Sequence, residues 1–441
     1  MVIMRIFALA LLASSSNGLA LPSIPFTGFE STSQSFIVKL KPGHSCQSHF
    51  SRIKGSLSKV ESSRATHFDP RIFNGYAIKL DDQATLKSLS LLDSVEYIEP
   101  DTVFSVASVV TQTDAPWGLQ AITRSVAFPI NDSSVALNYK YEASSTTPIG
   151  CFNRIDSVFR LTIVKNFLQV STSIYWIVES TLITPILRIA WSTAPFLPAI
   201  RRYAPKFYCA TRTSGLTHVR MADKLQTGDV FGHGTHVAGI AAGTRFGVAK
   251  QARIIDVKVI TDTGRGFASD IIAGLGWAVA HANSTGRPSV VNLSLGGGTS
   301  NALDDAVMGV VNAGIHTIVA AGNADIDASG WSPARVPGVI AVGSVDQTGV
   351  RSLSNYGSVL VVFAPGANIT SAGINSPTSS RVDSGTSMAA PHVAGLVAYL
   401  IGLEGPCTPP EMKTRVQALA RADVLSDIPN GTVNLMSQNI L

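Results

Sequence analysis

The stretch Asp383-Ser384-Gly385-Thr386-Ser387-Met388-Ala389-Ala390-Pro391-His392-Val393-Ala394-Gly395 limits what this chain can fold into more than any other. A serine set among Gly, Thr and Ala, followed by apolar residues through Ile401, reads as a turn feeding a buried helix with Ser387 in its first turn. A hydroxyl so placed faces outward, beside helix N-terminal amides that favour negative charge developing on a nearby oxygen. Pro391 agrees with an opening helical turn, where a backbone N–H has no partner to lose.

A second stretch, Gly232-His233-Gly234-Thr235-His236-Val237-Ala238-Gly239, supplies imidazoles far upstream of that serine. A serine hydroxyl is a poor nucleophile until a neighbouring imidazole can take its proton, so the two stretches are read together. Between and around them, short Val/Ile runs at 253–259, 290–295, 317–321, 339–345 and 360–363 alternate with helical patterns at 268–282 and 301–313. Such alternation predicts an α/β fold, a parallel sheet with helices on both faces, whose ligands sit at the carboxyl ends of the strands.

The Gly-Thr-Ser-Met-Ala run and the Gly-His-Gly-Thr-His run together resemble the subtilisin-like serine peptidases, most closely the proteinase K branch. The resemblance covers about 36–105, 111–141 and 228 to near the end. It implies that Ser387 is the nucleophile and His233 the general base, with His236, one turn along, structural. A zinc pair is set aside because no His-Glu-x-x-His pattern surrounds the two histidines. Asn323, in Ala320-Ala321-Gly322-Asn323, reads on its own as a turn-capping residue. The resemblance makes it the side-chain donor of an oxyanion hole, with the Ser387 amide as the other donor. Ser294, Leu295, Gly296 and Gly297 are implied to form an extended edge that pairs with substrate backbone, glycines allowing close approach.

The residues 35–105 read as a separate small α+β unit: strands at 36–40 and 75–80, helices near 47–62 and 83–92, and a closing strand at 95–101. Its order and its Tyr97-Ile98-Glu99-Pro100-Asp101 ending resemble the inhibitory, ferredoxin-like propeptide that precedes secreted subtilases. The resemblance implies an intramolecular inhibitor whose tail lies in the substrate cleft until it is cut, near 109–111. The catalytic domain is then expected over 110–441, a length that with 45% hydrophobic residues can bury a large core.

Residues 1–20 carry one charge, Arg5, then an apolar run and small residues, the pattern of a secretory signal peptide too short to anchor in a bilayer. A secreted, soluble, monomeric product acting on proteins or peptides is therefore expected. The sequons at Asn131, Asn283, Asn368 and Asn430 are usable there, while Asn292 falls in an expected buried strand. A net charge of +5 forms no basic block, so no nucleic acid is expected as partner, and beyond the leader the apolar stretches are broken by charge or Pro, so no membrane is expected either. The four cysteines, Cys46, Cys151, Cys209 and Cys407, assert no disulfide. No cofactor is required. Calcium stays open but unsupported, since Ser358-Val359-Leu360 leads to Val361 where relatives carry a coordinating carboxylate. Val237 stands where many relatives of this branch carry a cysteine, so thiol sensitivity is not expected.

One part is missing. The chemistry needs an aspartate to orient the imidazole, and the family carries it in a Val-x-Asp-Ser/Thr-Gly-Ile context on the first strand of the mature enzyme. Nothing of that form occurs, and Asp223 and Asp229 lie too near His233 in sequence to come from a separate strand. The interval 144–226 is anomalous, with no clean periodicity; its nearest match is the run from Ser173 to Leu182, where Glu179 could be taken for a displaced carboxylate. Read from the third base of the Tyr175 codon, however, Tyr-Trp-Ile must encode Leu-Asp whichever codons were used, and the continuing frame permits Ser-Gly-Ile. The expectation is that 144–226 is translated out of frame, around retained introns. An alternative function follows from the sequence as written: a catalytically impaired pseudoprotease or peptide-binding protein.

Overall fold

The computed structural model describes residues 34–53, 57, 60–106, 117–123, 173–177, 211–213, 216–220 and 229–439. The expected signal peptide, the expected cut at 109–111, Cys151, Cys209, Asn131, Glu179, Asp223 and most of 144–226 lie outside the described residues.

The first unit holds β1 (Gln34–Leu40), α1 (Cys46–Ile53), β2 (Ala65–His67), β3 (Gly75–Leu80), α2 (Gln83–Ser90) and β4 (Val95–Pro100). Its sheet is antiparallel throughout, in the order β2-β3-β1-β4. Alternation along β1 turns Phe36, Val38 and Leu40 into a core shared with Phe50, Ile53 and Leu89. Ile37, on the opposite face, belongs instead to the large core of the second unit, together with Ile72 and Phe73. The helix expected at 47–62 is shorter, ending at Ile53.

After α2 and β4 comes a short tail strand, β5 (Val103–Ser105), and then α3 (Trp117–Thr123). The second unit continues with β6 (Ser173–Ile177), β7 (Thr211–Thr213), β8 (Leu216–Arg220), α4 (His233–Ala242), β9 (Arg253–Lys258), β10 (Arg265–Phe267), α5 (Ala268–Thr285), β11 (Ser289–Leu293) and α6 (Asn301–Asn312). It ends with β12 (His316–Ala320), β13 (Ile340–Val345), β14 (Val362–Pro365), β15 (Ile369–Ala372), β16 (Ser380–Asp383), α7 (Thr386–Glu404), α8 (Pro409–Leu419), β17 (Arg421–Ala422) and β18 (Leu435–Met436).

Among the described residues, ten strands form one sheet in the order β17-β18-β14-β13-β12-β11-β6-β9-β8-β7. It is parallel from β18 to β8 and closes at each edge with an antiparallel pair. The fully buried runs of β11, β12 and β13 are what a sheet covered on both faces requires. Helices α4 and α7 pack on one another, as do α5 and α6. The first pair approaches closely because Gly395 has no side chain: a Cβ there would stand 2.6 Å from the Ala241 carbonyl oxygen. Helix α7 is long and apolar enough to cross a membrane, but 83% of its apolar stretch lies inside the fold, which makes it a core helix. Asn292 is fully buried on β11, whereas Asn283, Asn368 and Asn430 are exposed.

Candidate active site

Ser387 is the second residue of α7, whose first residue follows Gly385 at φ 135°. Pro391 lies in the second turn of this helix, not in its opening turn as the sequence suggests, so it removes the N–H that would reach back to the Ser387 carbonyl. The Ser294 hydroxyl replaces that donor, at 2.8 Å from the Ser387 carbonyl oxygen, and in turn accepts from Asn292 Nδ2 at 2.9 Å. The Ser387 hydroxyl donates to the Ser294 carbonyl at 3.3 Å. Nucleophile candidate and edge are thereby fixed to each other from both sides.

Asn323 is tied to Thr386, the residue before the nucleophile candidate. Its Oδ1 accepts from the Thr386 amide at 2.8 Å and from the Thr386 hydroxyl at 2.7 Å, while the Thr386 hydroxyl also accepts from the Gly322 amide at 3.1 Å. These bonds fix which way the Asn323 amide is flipped, with Nδ2 turned away from Thr386.

His233 is the first residue of α4 and is fully buried. The helix start is held by Asp229, whose carboxylate accepts from the amides of Gly232 and Thr235. Asp229 is therefore a cap, with no contact to the imidazole among its hydrogen bonds. His236 Nε2 faces the carbonyls of Ile369 at 2.9 Å and Arg381 at 3.0 Å, tying α4 to the β15–β16 hairpin. Arg381 Nη1 donates to the Phe231 carbonyl at 2.8 Å, while Nη2 pairs with buried Asp383 at 2.9 Å. Burial, then the neighbouring His236 and Arg381, lowers the His233 imidazole to about 3. Neither of its ring nitrogens has a hydrogen-bond partner among the described residues, so hydrogen bonds join Ser387 to Ser294 and Asn323 to Thr386, the residue before Ser387, and His233 is not joined to any of them.

The edge is already occupied. The tail strand β5 pairs antiparallel with β10 on one side, and Ser105 bridges to Gly296 on the other. Phe104 is fully buried against Gly297, where a Cβ would lie 2.9 Å from its ring. Two carboxylates preceding the tail hold it in place. Glu99 accepts from the Ser300 hydroxyl at 2.7 Å and the Ala302 amide at 3.1 Å at the head of α6, and Asp101 accepts from the Ser269 amide at 2.9 Å at the head of α5. Both satisfy helix N–H groups that lack intrahelical partners. Neither contact was legible in the sequence, because each joins residues more than 150 positions apart.

Both units match known protein families. The profile described as peptidase inhibitor I9 matches 35–107, and that of the subtilase family matches 217–432. The chain is 35% identical over 388 residues to Subtilisin-like serine protease Pen ch 13 of Penicillium rubens, covering 87% of this chain and 83% of that one. It is 34% identical over 441 residues to Alkaline serine protease ver112 of Corniculantispora psalliotae, covering 99% and 98%. The crystal structure of a cold-adapted subtilisin-like serine proteinase superposes with TM-score 0.55 at 30% identity, over 75% of this chain and all of that one. None of these favours a protein that binds peptides without cutting them. The chain belongs to the subtilase family, as a serine endopeptidase made together with its own inhibitory propeptide.

Proposed function

We propose that this endopeptidase cuts extended polypeptides outside the cell, with Ser387, His233 and Asn323 as its working groups. Substrate lies along Ser294, Leu295, Gly296 and Gly297 as an added strand. The Ser387 oxygen attacks the scissile carbonyl carbon while His233 takes the hydroxyl proton. The oxygen's charge falls to the Asn323 side chain and the Ser387 amide. His233 then returns the proton to the departing amine, and water releases the acyl group by the same path. The observation that carries this reading is the double tie between Ser387 and Ser294, which sets the hydroxyl beside an edge already holding the chain's own tail as a strand.

The imidazole still requires an orienting carboxylate. The backbone of β6 lies between β9 and β11, with Trp176 in register with both Asp256 and Asn292, and α4 packs near it. This placement of the Tyr175-Trp176-Ile177 segment supports the out-of-frame account, in which the working protein carries Leu-Asp there. Sequencing the messenger across codons 140–230 tests it, and a transcript matching the protein as written would refute it. The leader-like start supports secretion, in a monomer with no membrane or nucleic-acid partner. A fluorophosphonate probe applied to secreted protein should label it, and Ser387→Ala should abolish the label. Labelling that survives this change would remove Ser387 from the mechanism.

A further inference from the structure

The tail bound in the cleft shows how the cleft meets side chains. Along the tail, Phe104 and Val106 are buried while Val103 and Ser105 are exposed, the alternation of a strand that presents every second side chain to a surface. Val106 is fixed by its amide, which donates to the Gly264 carbonyl at 3.1 Å. A Cβ built on Gly264, whose φ is 75°, would lie 3.3 Å from Val106 Cγ2 and 3.1 Å from Phe231 Cζ. Val106 and the Phe231 ring therefore rest on the same bare glycine. The Phe231 ring also stands 6.4 Å, centroid to centroid, from the His233 ring, so this wall adjoins the candidate base.

The register gives the position its meaning. Ser105 faces Gly296 in antiparallel pairing, and the Ser387 hydroxyl is held at Ser294, two places back along the edge. Moving back along the edge moves forward along a bound strand. The substrate residue in Val106's place is thus the one immediately before the residue whose carbonyl faces Ser387.

We infer that Phe231 is a specificity-determining residue: with Gly264 as floor it selects a branched aliphatic side chain at the substrate position just before the acyl residue. The inference rests on the catalytic reading above and extends it to substrate class. A branched aliphatic group reaches the bare glycine on which the ring also rests, whereas a glycine at that substrate position has no side chain to place there. The backbone of Phe231 is held independently of its ring, by the Arg381 bond to its carbonyl, so truncating the ring removes the wall while keeping that tie.

The test uses the secreted enzyme and two peptides alike except for Val or Gly at this position, compared by kcat/KM. The wild-type enzyme should favour Val by about tenfold or more, the discrimination a hydrophobic pocket gives for a few methyl groups. Phe231→Ala should collapse that ratio to within about threefold, chiefly by slowing the Val peptide. Phe231→Leu should keep part of the preference. A ratio unchanged in Phe231→Ala, with both peptides slowed together, would mean a merely structural ring and overturn the inference. Cleavage of neither peptide by the wild-type enzyme, together with absent fluorophosphonate labelling, would overturn the catalytic reading and this inference with it.

Discussion

The Ser294 hydroxyl stands 2.8 Å from the Ser387 carbonyl oxygen, supplying the hydrogen bond that Pro391 cannot give from within α7. Ser294→Ala should leave that buried carbonyl unsatisfied and destabilise the enzyme by about 1–3 kcal/mol. Pro391→Ala restores the intrahelical donor, so the same Ser294→Ala change should cost much less in that background. Unfolding of the four proteins, each carrying Ser387→Ala to stop self-digestion, gives the cycle. Equal costs in both backgrounds would disprove the compensation.

Asn323 accepts twice from Thr386 through its Oδ1, which turns Nδ2, the group proposed as oxyanion donor, away from Thr386. Asn323→Ala should lower kcat by about a hundred- to a thousandfold, the loss measured for such a donor in subtilisin itself, with little change in KM. Steady-state kinetics on one peptide decides it; an unchanged kcat would exclude Asn323 from oxyanion binding.

Release of the propeptide should be favoured by rising pH. Burial raises Asp101 and Glu99 above the ordinary carboxylate range, outweighing the Ser269 and Ser300 bonds, and Asp270, half-buried and facing the Asp101 charge, is pushed up to about 6. A carboxyl raised on docking holds its proton more tightly when docked. The docked state is therefore most favoured below the ordinary value of 3.8 and loses that advantage as pH climbs through about 6. After cleavage of the full chain, active enzyme should appear faster at about pH 8 than at about pH 5, and Asp101→Asn should flatten the difference. A faster release in acid would contradict the linkage.

Gly309 of α6 lies under the propeptide loop, where a Cβ would come 2.5 Å from the Ile72 carbonyl oxygen and 2.6 Å from its Cα. Ala is the better helix former by about 1 kcal/mol in a helix interior. Gly309→Ala should thus raise the melting temperature of the mature enzyme while slowing recovery of activity when the full chain refolds. Melting curves and refolding yields separate the two effects. Normal refolding would show that the loop yields to the methyl group.

Much of this was readable from residues alone because it is local. The β-branched runs became β9, β11, β12 and β13 within a residue or two of the expected bounds, and the Gly-Thr-Ser and Gly-His-Gly-Thr-His runs each opened a helix. What escaped was set by distance or by helix register. The place of Pro391 depends on where α7 begins, at Thr386, and that start is fixed by Gly385 and Asn323, not by the proline. β2 and β5 are three-residue strands that exist through their partners, and the hairpin of β15 and β16 is too short and polar for a period to appear. Asp229 was read only as a poor triad candidate, although its position before Gly232 is that of a helix cap.

The tail occupies a gap bounded by backbone on two sides, Arg265–Phe267 and Gly296. Once emptied, such a slit admits a polypeptide only when it is drawn out straight, with neither helix nor hairpin intact. A target protein would therefore have to shed a stretch of its own structure before being cut, and its survival would follow how often that stretch comes loose before it follows any side-chain preference.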